Sequence, residues 1–128
     1  EWFAQSRRLL KPDGVLFVSI PNFHSLLVRI MGAREGNICP PTHLNFFTMK
    51  SFTSLAGRHG LRLRLAETPS VLPLEPAIDA VKVYLKLPET PLSALPGAFV
   101  WSLLAVADRL GLGRFLHGYF SPANNRLP

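Results

Sequence analysis

The sequence predicts an α/β fold, on three observations. Residues 15–20 are apolar at both alternating positions except for Ser19, and they follow a helix-like segment closed by a Pro12-Asp13-Gly14 turn. Residues 23–31 and 48–58 carry apolar side chains at helical spacing, and residues 61–65 alternate leucine with arginine. Helical and strand periods that succeed one another along a chain are the signature of helices packed on a sheet.

Each element has its own warrant. Residues 2–10 place Trp2, Phe3, Leu9 and Leu10 on one side of a helix and Arg7 and Arg8 on the other. Pro12 ends that helix and sets the first turn position, and Gly14 relieves the last. The run 15–20 then reads as a strand buried on both faces, as in the middle of a parallel sheet covered by helices. Ligands sit at the C-terminal end of such a strand. Because the chain opens inside a helix at Glu1, the first part of the domain is expected upstream of it.

Asn22 is placed to cap a second helix in which Phe23, Leu26, Leu27, Ile30 and Met31 recur, with Gly32 as its stop. A loop with Gly36, Cys39, Pro40 and Pro41 delivers Thr42-His43-Leu44-Asn45-Phe46-Phe47-Thr48. Thr48 caps a third helix through Arg58, with Phe52, Leu55 and Ala56 inward and Gly60 as terminator. Leu61, Leu63 and Leu65 share one face of the next strand and Arg62 and Arg64 the other, so one face is wet and an edge position is expected. Beyond Pro69, Pro76 starts a helix with Ile78, Val81 and Leu85 on one face. A connector with Pro88, Pro91 and Pro96 leads to a strongly apolar helix around 99–110, ended by Gly111 and Gly113. The tail from His117 to Pro128 shows no period.

Composition narrows the classes. Cys39 is the single cysteine, which excludes an internal disulfide and a cysteine-rich zinc site. Residues 1–64 hold nine Lys and Arg against three Asp and Glu, residues 65–128 five against five, so the whole excess of +6 lies in the first half. No aromatic–basic interleaving accompanies that excess, and no nucleic-acid partner is predicted. The uncharged stretch of 97–107 is well short of the roughly 20 apolar residues a spanning helix needs. A cytoplasmic protein is expected, with a peripheral membrane contact as the other setting.

In order and spacing, Leu9-Leu10-Lys11-Pro12-Asp13-Gly14, the buried strand with Pro21-Asn22, His43-Leu44-Asn45-Phe46-Phe47-Thr48, the helix ending at Gly60 and the strand from Leu61 resemble the C-terminal half of a class I S-adenosylmethionine-dependent methyltransferase. The resemblance covers about residues 1–68 and implies a partial Rossmann-like sheet. Residues 15–20 would be its fifth strand and 61–67 its sixth. In that family the seventh strand is antiparallel and inserts between these two. No seventh strand is legible before Pro128, so residues 69–128 are expected to be a proline-rich helical insertion and tail. The family's glycine-rich loop and ribose-binding acid are absent, so S-adenosylmethionine would be held mainly by residues upstream, and this piece alone would be inactive.

In the parent fold the acceptor lies above the C-terminal ends of strands four and five. That points to His43 as a catalytic candidate, acting as base or hydrogen-bonding the acceptor, and to Ser19, Asn22 and Asn45 as acceptor-binding candidates. Each has a plainer role as well: His43 bonding backbone and orienting Phe46 and Phe47, Asn45 forming a turn, Asn22 capping a helix. His24 is expected on the surface, His59 at a helix C-terminus, and no metal site is expected. Cys39 has no activating base in view. The acceptor would be a small molecule or lipid-like. The rival reading is a non-catalytic interaction domain that docks a partner or membrane surface through the apolar helix of 97–110.

Overall fold

A computed structural model of the chain describes residues 1–38, 43–70 and 97–123. It comprises α1 (Trp2–Leu9), β1 (Leu16–Pro21), α2 (Leu26–Met31) continued by a 3-10 turn (Gly32–Arg34), α3 (Met49–Arg58), β2 (Leu61–Glu67), α4 (Gly97–Arg109) and β3 (Phe115–Pro122). The helix expected from Pro76 and the proline-rich connector lie outside the described residues, as do Cys39, Pro40 and Pro41.

The three strands form one sheet in the order β1-β3-β2, with β3 antiparallel to both neighbours. It follows that β1 and β2 run parallel to each other without touching. The tail expected to lack a period is therefore the central strand. Its pattern was hidden because core-facing positions fall on Leu116, Gly118 and Phe120, and a glycine reads as a gap in a hydrophobic period. Gly118 is required sterically: a Cβ there would sit 2.5 Å from Phe120 Cε2 and 2.8 Å from Phe52 Cε1. The expected division at residue 68 does not divide the sheet, since β3 pairs with strands from the first segment.

One face of the sheet carries the core. Phe3 of α1, Phe52 and Ala56 of α3, and Val18, Leu61, Leu116 and Phe120 of the strands form a buried cluster. Phe52 stands at its centre, with ring centroids 5.1 Å from Phe120, 5.8 Å from Phe3 and 6.1 Å from Phe47. Only Phe3 of α1 is buried, with Leu10 packed against the cluster, whereas Trp2 and Leu9 are exposed. Residues seven apart share a helix face, and Trp2 and Leu9 lie about 100° away from the Phe3 and Leu10 face. The side of α1 expected to carry all four splits accordingly.

β1 departs from its expected setting. Among the described residues it lies at a rim of the sheet and pairs along its length with β3 alone. Val18 is buried and Leu16 and Ile20 are packed on the core, but Phe17 and Ser19 face the other side and are exposed. Helices α1 and α3 both supply the same face, and on the other Phe17 packs against the rings of His117 (5.2 Å) and Tyr119 (4.9 Å) of β3. The Asn22 N–H donates to the Arg114 carbonyl in register with this pair, so odd-numbered residues of β1 turn their backbone away from β3. Pro21, which has no N–H, therefore removes no bond from the ladder.

β2 is an edge strand, as its alternation predicts, but with a break. The register with β3 shifts between Leu63 and Leu65. Leu61 and Leu63 face the core, whereas the bulge at Arg64 turns Leu65 to the opposite face, opposite Tyr119 and 52% exposed.

Capping follows the sequence at one helix and not at another. Thr48 caps α3 in a reciprocal box with Ser51, and Gly60 at φ +69° lets the chain turn into β2 without the penalty a Cβ would bring. α2 is capped by Ser25, whose Oγ accepts the Val28 N–H at 3.2 Å, and it starts four residues after Asn22.

Candidate functional site

Asn22 is 2% exposed. Its Nδ2 donates to the carbonyls of Gly113 (2.8 Å) and Gly111 (3.2 Å), and its Oδ1 accepts the His24 N–H (2.9 Å). Rather than capping α2, Asn22 ties the C-terminal end of β1 to the turn between α4 and β3. The backbone joins in, because the Leu26 N–H donates to the Leu112 carbonyl at 2.8 Å. A buried amide satisfied this way fixes the geometry of the strand end.

The segment carrying His43 and Asn45 crosses the same end. Phe47 forms a parallel bridge with Asn22, the Phe23 N–H donates to the Phe47 carbonyl at 2.9 Å, and the Phe23 and Phe46 rings lie 5.6 Å apart. The structure thus gathers Asn22 and the 43–48 segment at one strand end. Asn45 is exposed and His43 half-buried. Ser19 stands apart: it is exposed, on the sheet face away from the core, with His117 opposite it in register. His24 is exposed and bonded to the Arg29 guanidinium, and His59 stacks on Phe3 at 6.3 Å.

Beside this end lies an open cleft of about 660 Å³, lined by Met49, Ala66, Glu67, Thr68, Pro69, Asp108, Arg109 and Gly111. It brings the C-terminal end of β2, the first residue of α3 and the last turn of α4 around one space. Asp108 holds it together. Its carboxylate accepts the Ser70 hydroxyl at 2.6 Å and the Ser70 N–H at 3.0 Å, and its carbonyl accepts the Thr68 hydroxyl at 2.7 Å. Gly113 passes so close that a Cβ would fall 1.6 Å from the Thr68 carbonyl oxygen. A second tether is the Glu35 carboxylate, 2% exposed, which accepts from Arg114 Nε at 2.9 Å and from the Asn37 N–H at 2.7 Å. Sequence reasoning reached none of Glu67, Asp108 and Arg109. The linear signal for Asp108 and Arg109 is an acid–base pair at the end of an apolar helix, and Glu67 carries none.

Chemically, the strand end offers an amide-braced backbone, an imidazole, and a cleft whose ionisable groups are Glu67, Asp108 and Arg109. Among the described residues no group of three or more His, Cys, Asp or Glu is placed to hold a metal ion. No family model matches the chain, and no curated protein matches it.

Proposed function

We propose that the chain is the C-terminal part of a class I S-adenosylmethionine-dependent methyltransferase and contributes the acceptor side of its site. The observation that carries this reading is the strand order. Two parallel strands, β1 and β2, are separated by an antiparallel strand that follows both in sequence. The resemblance implies that order for strands five, seven and six, and β3 takes the place of the strand the sequence left unassigned. On this reading the unpaired rim of β1 and the outward face of Phe17 are covered by preceding sheet and helices of a Rossmann-like domain.

The residues here do not by themselves fit the cofactor. Of the buried or half-buried polar side chains near the strand ends, Asn22 is engaged with backbone, Ser25 with Val28, and Thr68 and Ser70 with Asp108, whereas Asn37 Nδ2 has no hydrogen-bond partner among the described residues. The reading therefore assigns the cofactor to preceding sequence and the acceptor to this chain. His43 bonds the acceptor or takes its proton, Asn45 is a contact candidate at the mouth, Asn22 positions the 43–48 segment, and Ser19, on the outward sheet face, drops out of the acceptor site.

Calorimetry with S-adenosylhomocysteine tests the reading. The 128-residue chain should bind weakly or not at all, and a polypeptide extended by the coding sequence preceding Glu1 should bind saturably. Tight binding by the 128-residue chain, or an extension lacking both binding and a strand–glycine loop–helix unit, overturns it.

A further inference from the structure

Two phenylalanines are held toward solvent where the end of β1 meets the 43–48 segment. Phe23 is 46% exposed and Phe46 half-buried, and Leu44, two residues before Phe46, is 72% exposed. Their sequence neighbours do the opposite: Asn22 is buried and Phe47 packs on the core. Backbone geometry enforces the split. Asn22 bridges Phe47 in parallel, the Phe23 N–H donates to the Phe47 carbonyl, and the Asn22 amide is fixed on the Gly111 and Gly113 carbonyls. Neighbours on an extended segment point to opposite sides, so turning Asn22 and Phe47 inward turns Phe23 and Phe46 outward. Their rings meet at 5.6 Å with planes 38° apart. The pair is placed by hydrogen bonds rather than by burial.

We propose that this ring pair seats the methyl acceptor, and that the seated part is a planar aromatic group without positive charge. Calling the ligand an acceptor rests on the methyltransferase reading; its ring chemistry rests on the residues of the mouth. An exposed phenyl face favours offset stacking, which a flat ring satisfies over its area and a saturated ring does not. Because the backbone bonds fix both segments beforehand, little ordering opposes binding. Charge narrows the class. Residues 22–34 and 43–48 contain no Asp or Glu but carry Arg29 and Arg34, and Arg29 is exposed and bonded to His24. A cationic ring finds no carboxylate on either segment, whereas a neutral or anionic ring meets no like charge there. Asn45, exposed and next to Phe46, supplies an amide for a polar substituent of the ring.

Titration of the 128-residue chain with 2-naphthol, followed by NMR, tests the seat without any cofactor. Its failure therefore leaves the methyltransferase reading intact, and failed cofactor binding leaves the seat intact. 2-Naphthol should bind saturably, with a Kd of about 1 mM or tighter, and its ring protons should shift upfield. Decahydro-2-naphthol, the same skeleton saturated, should bind at least about threefold more weakly. 2-Naphthylmethylammonium should also bind more weakly than 2-naphthol. Phe23→Leu keeps most of the apolar area and removes the ring; it should weaken 2-naphthol about threefold to tenfold and abolish the upfield shift. Phe46→Leu should act in the same direction, and the amide signals of β3 report that each variant keeps its fold. Phe17→Leu, on the outward sheet face, should change nothing. No saturable binding, equal binding of the saturated compound, preference for the cation, or indifference to both mouth variants overturns the proposal. So does loss of binding on Phe17→Leu, since the ligand would then lie on the sheet face.

Discussion

Helices α3 and α4 are held to the same sheet by opposite means. α3 turns Phe52 and Ala56 into the core, 1% and 0% exposed, and leaves its polar residues outside. α4 turns Asp108 in and leaves Trp101, Leu103, Val106 and Leu110 outside. The first is fixed by burial, which is large and undirected; the second by a few hydrogen bonds, which are smaller and directional. Apolar content alone therefore does not say which way a helix faces.

Four substitutions test that contrast, in decreasing order of cost. Phe52→Ala should cost about 3–5 kcal/mol in urea unfolding, because it empties the point where Phe3, Phe47 and Phe120 meet. Gly118→Ala should cost about 1–3 kcal/mol by overpacking, since the new methyl meets Phe120 and Phe52 inside normal contact distance. Asp108→Ala should cost about 1–3 kcal/mol by unpairing Ser70. Hydrogen exchange should then accelerate across residues 101–110 while residues 49–58 stay protected; equal acceleration in both helices would erase the contrast. Thr48→Ala should cost about 1 kcal/mol by removing the α3 cap, with α4 exchange unchanged.

How much could be read beforehand varied by element. α3 was legible in full because its cap, its inward residues and its terminator all agree locally. β1 was legible as a strand but not in its burial, since an apolar run says nothing of which faces have partners. β2 was legible as an edge, yet not the bulge that turns Leu65 outward, because a register shift depends on the neighbouring strand. β3 was not legible, because Gly118 interrupts the pattern where Phe52 and Phe120 fill the space. At the candidate site, the Asn22–Phe47 bridge brings the 43–48 segment to the end of β1, while Asn22, expected as a local cap, bonds carbonyls 89 and 91 residues away.

Sequence alone determined the pieces whose reasons are local: the Pro12–Gly14 turn, the Thr48 and Ser51 box, the turn at Gly60, and the α/β alternation. Tertiary structure decided what depends on distant partners: the insertion of β3 between β1 and β2, the inward turn of Asp108, and the latch made by Asn22. Caps and turns are satisfied within a few residues, so their chemistry is written contiguously. A strand's neighbours and a buried amide's acceptors are chosen by the packed chain as a whole.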